Sequence, residues 1–524
     1  MNTYTRLNSN TVKLRFLIII LIGFSNILAF GQKQELISKK YTYNTLSPYQ
    51  KSLLEDIIAL DFPNGSELSN ALSDRASIRN TTRLAEALLF RNQDGDKENA
   101  ITILKWLLKY QYQDEKSPYY GMWQTNATND RKDQNWREFI GCDLIIIYHN
   151  YKNTLPKDVV EAIETGLVHA AKGAMKRDVT PYYSNISIMS AFMMEYVGSC
   201  FKNEALTNAG LKKARDIFNL QQTHGSFSEY NSPTYYGVTL IGIALWREMA
   251  FSEEMKMMGR TLEKALWHET AMLYNANLQN MAGPYFRAYG MDMQKYNAII
   301  GLWIAVALND EKLAPIPGIK GGKNGEMSNL TPIFHLGLSI PKGDWAEFRS
   351  FSKPRYISKI VPSNYTGDTL KKVTHQIEKE WMMGGLWGNL RKWDQIKTGT
   401  IHWKTADGSI GWLLVPGNAK TNVKVSKKQM GIYLADAKTK EIELFVYSKQ
   451  ASVDNFMDKN WKLPSIDLGI RTSLKRSSIE KGKPELVRQF VEDKSDYPFV
   501  VRVVYEVPAN WDIEKPLLEI TPKK

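Results

Sequence analysis

Between about residues 45 and 310 apolar positions recur every three to four residues, the period that gathers them on one side of an α-helix. The stretches ENAITILKWLLKYQ, WREFIGCDLIIIYHNY, DVVEAIETGLVHAAKGAM, ISIMSAFMMEYVGSCF, ALTNAGLKKARDIFNLQ, YGVTLIGIALWREMA, TLEKALWHETAMLYNANLQ and YNAIIGLWIAVAL each read as a helix. Some are apolar nearly all round and others keep one polar face. That mixture predicts two layers, one enclosed and one facing water.

After a Pro/Gly-rich connection beginning at Ala314, APIPGIKGGKNGEMSN, the period changes to two. GTIHWKTADGSIGWLLVPG, MGIYLADAKTKEIELFVYS and PFVVRVVYEVP alternate apolar and polar residues between DG, PG and KTK turns, a pattern of antiparallel strands. A chain of 524 residues exceeds one ordinary core. The expectation is an α+β multidomain protein, with a helical domain over 32–340 and an antiparallel β-sheet or sandwich domain over 341–524. Residues 1–31 stand apart. Lys13 and Arg15 precede the apolar run from Phe16, and Ala29 and Gly31 lie at the −3 and −1 positions before Gln32. This is the order of a secretory signal peptide. It predicts export, to the periplasm or beyond, with no membrane span after its removal, and no cysteine near the cleavage point offers a lipid anchor.

The helical part carries a weak repeat. SPYYGMW, TPYYSNI, SPTYYGV and GPYFRAYG hold Pro118, Pro181, Pro233 and Pro284, separated by 63, 52 and 51 residues. Each is a turn ahead of a helical run, and such a spacing accommodates one helix out and one back. The arrangement is an (α/α) toroid, an incomplete barrel of helical hairpins, whose turns ring one mouth with tyrosines.

The net charge of +13 is uneven, with 32 Lys and Arg against 22 Asp and Glu from Pro341 onward. In an exported protein that favours an acidic polysaccharide or anionic cell surface over nucleic acid; a solvated basic face is the plain alternative. Cys142 and Cys200 lie inside apolar helical patterns, which suits buried free thiols even where export permits a disulfide. No cofactor is implied and a structural metal ion stays open, although His335 and His402 lack partners at ligand spacing and read as structural.

The turns concentrate chemistry. THGSFSEYNSPTYYG gathers His224, Glu229, Tyr230, Asn231 and Tyr235; GPYFRAYGMDMQKY adds Tyr285, Arg287, Tyr289 and Asp292; TPYYSNIS adds Tyr183 and Asn185; SPYYGMW ends in Trp123. Aromatic rings such as Trp123, Tyr183, Tyr235 and Tyr285 suit the CH faces of sugars, with Asn231 and Glu229 as polar partners, although any single tyrosine could equally cap and pack its helix. β-Elimination of a uronic-acid polymer uses this set naturally. It removes the proton beside a carboxylate, which first needs Asn, His or Arg to neutralise that carboxylate. A tyrosine can then serve as base and acid, provided a neighbouring cation favours its phenolate. Arg287, two residues before Tyr289, is placed for that in an extended turn.

FSEYNSPTY, GPYFRAYGMD and NWREFIG, Asn135 to Gly141, are similar to stretches of toroid lyases acting on alginate or glucuronan. The layout of the whole chain resembles polysaccharide lyases of the alginate lyase and heparinase II/III kind. That resemblance implies Asn185 as carboxylate neutraliser, His224 as neutraliser or base, Tyr289 as base and acid, and Arg287 as its electrostatic support. Tyr235 and Tyr285 are rival catalytic tyrosines. The β part is short for heparinase II/III members, so the resemblance names a superfamily only. Two other readings stand beside it. One is a glycoside hydrolase on the same scaffold using Glu229 and Asp292, or Asp143 or Glu138; the other is a glycan-binding protein without catalysis. The run EWMMGGLWGNLRKW, Glu380 to Trp393, either covers the mouth, with Arg391 or Lys392, or forms domain-interface core.

Overall fold

A helix that is apolar all round has no face to give to water, so amphipathic helices must enclose it. The computed structural model describes residues 35–62, 68–129, 131–363, 368–491 and 493–523; the expected signal peptide lies outside them. Among these residues Ile78–Arg91, Trp136–Tyr151, Ser184–Cys200, Tyr235–Met249 and Ile299–Leu308 form an inner layer. Asp96–Leu107, Lys157–Arg177, Glu204–His224 and Glu253–Leu273 lie outside it. Every residue of Ile299–Leu308 is buried, whereas Lys157–Arg177 buries one stripe, Val159, Ile163, Leu167, Ala170 and Ala174. Each outer helix packs on the inner helix before it, and the inner helices contact one another in chain order. This is the curved row of hairpins that the two periodicities predict.

Local chemistry fixes where helices begin. Ser77, Asn203 and Ser252 accept first-turn backbone N–H groups of the helices that follow them. Gly210 permits the closest hairpin: a Cβ there would lie 2.5 Å from the backbone nitrogen of Glu195 on the inner helix. Pro118, Pro181, Pro233 and Pro284 all fall in connections that run from an outer helix to the next inner one, so the four turns share one end of the toroid. Both cysteines are unpaired, with Cys142 buried. No described helix is long and apolar enough to cross a membrane.

Helical packing continues past residue 340. Leu338–Pro341 pairs with Leu36–Lys39, and the helix Lys342–Arg349 packs on Glu253–Leu273 and Ile299–Leu308. The β half starts at Arg355 and forms two antiparallel sheets, of eight and five strands among the described residues. The larger sheet is apolar on both faces. Trp412, Leu414, Phe445 and Tyr447 join the core shared with the helices, while their neighbours Leu413, Val415, Leu444 and Val446 face the smaller sheet. Continuous apolar runs such as WLLV and LFVY follow from this double burial.

The seam between the halves is tight. Gly384, on the strand Trp381–Trp387, lies against the carbonyl of Gly283, where a Cβ would overlap that oxygen at 1.6 Å. His375 bridges the Gly283 carbonyl at 2.8 Å and the Tyr230 hydroxyl at 2.9 Å, and His402 meets the Met291 carbonyl at 3.0 Å. The Trp-rich run divides here. Trp381 enters the core between the sheets, Trp387 packs on Tyr433, and Trp393 packs against the helical core.

Burial pushes the pKa of both His375 and His402 down to about 3. Each therefore stays neutral in the folded seam while its unfolded counterpart takes up a proton below about 6.5. The stability they confer is complete above that value and is lost as pH falls toward 3. Between about pH 6 and 4 the free energy of unfolding should fall by up to ~1.4 kcal/mol per pH unit for each histidine. In chemical denaturation, His375→Gln with His402→Gln should be shallower in pH dependence than the native chain; equal slopes would rule this out.

Candidate active site

Where the chain enters a new inner helix, the first backbone N–H groups lack helical partners and the helix dipole leaves partial positive charge. The first turns of all five inner helices open onto one cleft, through Arg79, Trp136, Ile186, Tyr235 and Ile299. Its volume is about 580 Å³. Arg131, Arg287 and Lys323 add further positive charge, Asp133 and Glu326 negative charge, and Gln395 reaches in from the β half. Arg79 pairs with Glu326 and Arg131 with Asp133, each at 3.6 Å. Lys323 lies over the Tyr289 ring at 4.7 Å. The converging helix ends and this cation make the cleft a place for anions.

Two tyrosines face each other in it. The hydroxyls of Tyr235 and Tyr289 are 2.7 Å apart. Tyr235 opens its helix, its N–H capped by Ser232 Oγ at 2.9 Å, and the same hydroxyl donates to the Arg287 carbonyl at 2.5 Å. Asn231, in left-handed conformation with φ +49°, donates both amide hydrogens, to the carbonyls of Ala282 at 2.6 Å and Pro284 at 2.7 Å. The turn carrying Tyr289 is held on its other side by the strand Lys392–Lys404. Tyr285 and Lys397 exchange backbone hydrogen bonds at 3.2 and 2.9 Å, and the Ala288 N–H donates to the Gln395 carbonyl at 2.9 Å.

Arg287 sits under this pair. Its guanidinium donates to Glu229 Oε1 at 2.6 Å and to Gln395 Oε1 at 3.1 Å, and stacks on the Tyr235 ring at 3.5 Å. The second oxygen of Glu229 accepts the backbone N–H of Asn185 at 3.1 Å. Burial raises the pKa of both phenols. For Tyr289 the hydroxyl of Tyr235 opposes that rise, the charge of Glu326 adds to it, and the charges of Arg287 and Arg79 oppose it. For Tyr235 Arg287 opposes it, but the bond to Tyr289 adds to it. Either hydroxyl of the pair can donate to the other, so the anion of each phenol has a donor beside it.

Of the residues singled out in the sequence, Tyr183, Tyr235, Arg287 and Tyr289 line the cleft. Glu229 lies behind it, locked to Arg287. Asn231 and Tyr285 are buried, and the Tyr285 hydroxyl donates to the Met281 carbonyl, so both brace turns. Trp123 is buried against Gly166 of an outer helix. His224 ends the outer helix Glu204–His224 and does not line the cleft; its neighbours Gln221, Gln222 and Gly225 line a separate groove. Asn185 is fully buried, between the cleft-lining Tyr183 and Ile186, and among the described residues its side-chain amide has no hydrogen-bond partner. Asp292 is buried with a pKa pushed up to about 6 by burial, and does not line the cleft. Asp143 and Glu138 are buried in ion pairs with Arg83 and Arg177. His335 pairs with Glu86 at 3.0 Å.

Sequence reasoning passed over Arg79, Arg131, Asn135, Lys323 and Gln395. Asn135 and Lys323 stood in stretches already noted, NWREFIG and the connection from Ala314; Asn135 donates to the Tyr183 hydroxyl at 3.1 Å and accepts from Arg177 at 2.8 Å. Among the described residues no group of three or more His, Cys, Asp or Glu is placed to hold a metal ion.

A family profile described as "Domain of unknown function (DUF8769)" matches residues 66–334. Among curated proteins nothing matches. Similar solved structures include a heparinase III, with a TM-score of 0.45 and 9% identity over 93% of this chain and 87% of that one. Another is the Streptomyces coelicolor A3 chondroitin AC lyase in complex with chondroitin sulphate, with a TM-score of 0.49 and 11% identity over 92% of this chain and 80% of that one.

The Arg287–Glu229 pair is buried on both sides. Glu229→Ala would leave Arg287 without its carboxylate and should cost about 3–5 kcal/mol in denaturant unfolding. A loss below about 1 kcal/mol, the scale of an exposed pair, would show that water reaches the guanidinium.

Proposed function

The chain belongs to the family described as a domain of unknown function, DUF8769, and from the cleft in its helical half we propose that it is a polysaccharide lyase. Its substrate is an acidic polysaccharide containing uronic acid, of the alginate or glucuronan kind, cleaved by β-elimination. The observation that carries this reading is the hydrogen-bonded pair of phenols, Tyr235 and Tyr289, inside a cleft lined by cations and helix N-termini.

The chemistry needs three things from these residues. The sugar carboxylate must be neutralised, so that the proton on the adjacent carbon becomes acidic; Arg79, Arg131 and Lys323 stand in the cleft for that, a role sequence reasoning gave to Asn185 and His224. A base must remove that proton, and Tyr289 is the phenol whose anion Tyr235 can stabilise by donation. The electron pair left on the carbon then forms the double bond and expels the glycosidic oxygen. That oxygen takes the proton back from Tyr289, so the base is regenerated and no water is consumed. Arg287, held by Glu229, supports the phenols electrostatically and positions Tyr235.

A hydrolase needs two carboxylates flanking the scissile bond. Glu229 and Asp292, the pair that a hydrolase would use here, do not line the cleft. Export goes with the proposal, on the amino-terminal charged, apolar and small residues.

Incubation with alginate, glucuronan, ulvan and glycosaminoglycans should produce unsaturated uronate, read as absorbance near the ultraviolet edge. New reducing ends without that absorbance would replace the lyase by a hydrolase, and binding with neither by a glycan-binding protein. Tyr289→Phe should lower kcat by about 100-fold or more. Because the base must ionise from a raised pKa, kcat/KM of the native enzyme should climb with pH between about 7 and 9; a profile falling over that range would remove Tyr289 as the base.

A further inference from the structure

The cleft continues past Tyr289. A second cavity of about 480 Å³ lies on its far side, and Tyr289, Lys323 and Gln395 line both. The remaining wall comes mainly from the β half: Asp394 on the strand Lys392–Lys404, Arg488 from residues 484–491 and Lys494 from residues 493–499.

Both stretches are anchored. Val487 and Phe490 are buried in the core shared with the helices, and Phe490 packs on Phe445 with ring centroids 4.8 Å apart. Asp496 accepts the Tyr447 hydroxyl at 2.9 Å and pairs with Lys295 of the helical half. Arg488 and Lys494 are exposed beside these anchors. Among the described residues neither of them, nor Lys323, forms an ion pair with a carboxylate. Three cations held around one concavity in which Asp394 is the one carboxylate among the described lining residues form an anion site with the charge already gathered. Each cavity alone falls in the range of about 300–1,000 Å³ that encloses a small organic molecule, so the two together hold more than one sugar.

We infer that the second cavity is a subsite for another anionic sugar of the same polysaccharide chain, its charged group facing Arg488, Lys494 and Lys323. The chain then runs across both halves of the protein with Tyr289 at the junction, and is cut in its interior. The direction of cutting rests on the lyase reading; the binding does not.

The test uses the full chain and five polymers: alginate, glucuronan, ulvan, chondroitin sulfate and heparan sulfate. Binding is followed by tryptophan fluorescence. Arg488→Glu with Lys494→Glu should weaken binding of any polymer that the native chain binds by about tenfold or more. Lys424→Glu with Lys462→Glu makes the same change in net charge on exposed strands of the smaller sheet, and should stay within about twofold because salt screens distant charges. Equal losses in the two variants, or no loss in the first, would overturn the subsite, as would a native chain that binds none of the five. If binding falls as expected while the native chain yields no ultraviolet-absorbing product, the subsite stands and the lyase falls. Absorbing product with unaltered binding in the first variant means the reverse.

Discussion

One buried ion pair organises the mouth of this toroid. Arg287 and Glu229, 2.6 Å apart, come from two successive turns, and the groups they engage come from two further elements. Glu229 takes a first-turn N–H of the preceding inner helix, at Asn185, and Arg287 takes Gln395 from the β half. Charges withdrawn from water cost several kcal/mol each unless their remaining hydrogen-bonding capacity is met. The geometry that meets it allows little freedom, so the stack of Arg287 on Tyr235, and through it the contact of Tyr235 with Tyr289, follows from the pair.

The β half is part of the site and not an appendage. Its central strand Lys392–Lys404 pairs by backbone with the turn that bears Tyr289 and brings Gln395 into the cleft. Close packing is possible because Gly384 and Gly283 offer no side chain at the seam. It is dry enough to hold His375 and His402 neutral. A sheet apolar on both faces packs on the helices with one face and on the smaller sheet with the other.

Several tyrosines and polar residues that crowd the turns have ordinary structural work. Asn231 satisfies two carbonyls that would otherwise be buried without donors. Tyr285 does the same for Met281. Trp123 fills the space that Gly166 leaves on an outer helix. In sequence these residues looked like Tyr235 and Tyr289, since turn residues two or three apart differ in direction by the local backbone alone. The sharp turn at Asn231, with its positive φ, sends Glu229 behind the cleft and Tyr235 into it.

The layers of the fold were legible because periodicity records burial directly: a helix enclosed on all sides must be apolar all round, and Ile299–Leu308 is both. The proline turns were legible for a similar local reason, and they drew attention to Tyr235, Arg287 and Tyr289. The amino-acid sequence by itself determined the two helical layers, the change to strands and the common end on which the turns meet. Only the tertiary structure decided which of the 68 lysines and arginines face the cleft. Arg79, Arg131 and Lys323 lie far apart along the chain and carry no motif; they converge because the curvature of the helical row and the seam with the β half bring their elements to one mouth. The same curvature left His224 outside it, because a position at the right end of a helix does not specify which side of that end it occupies.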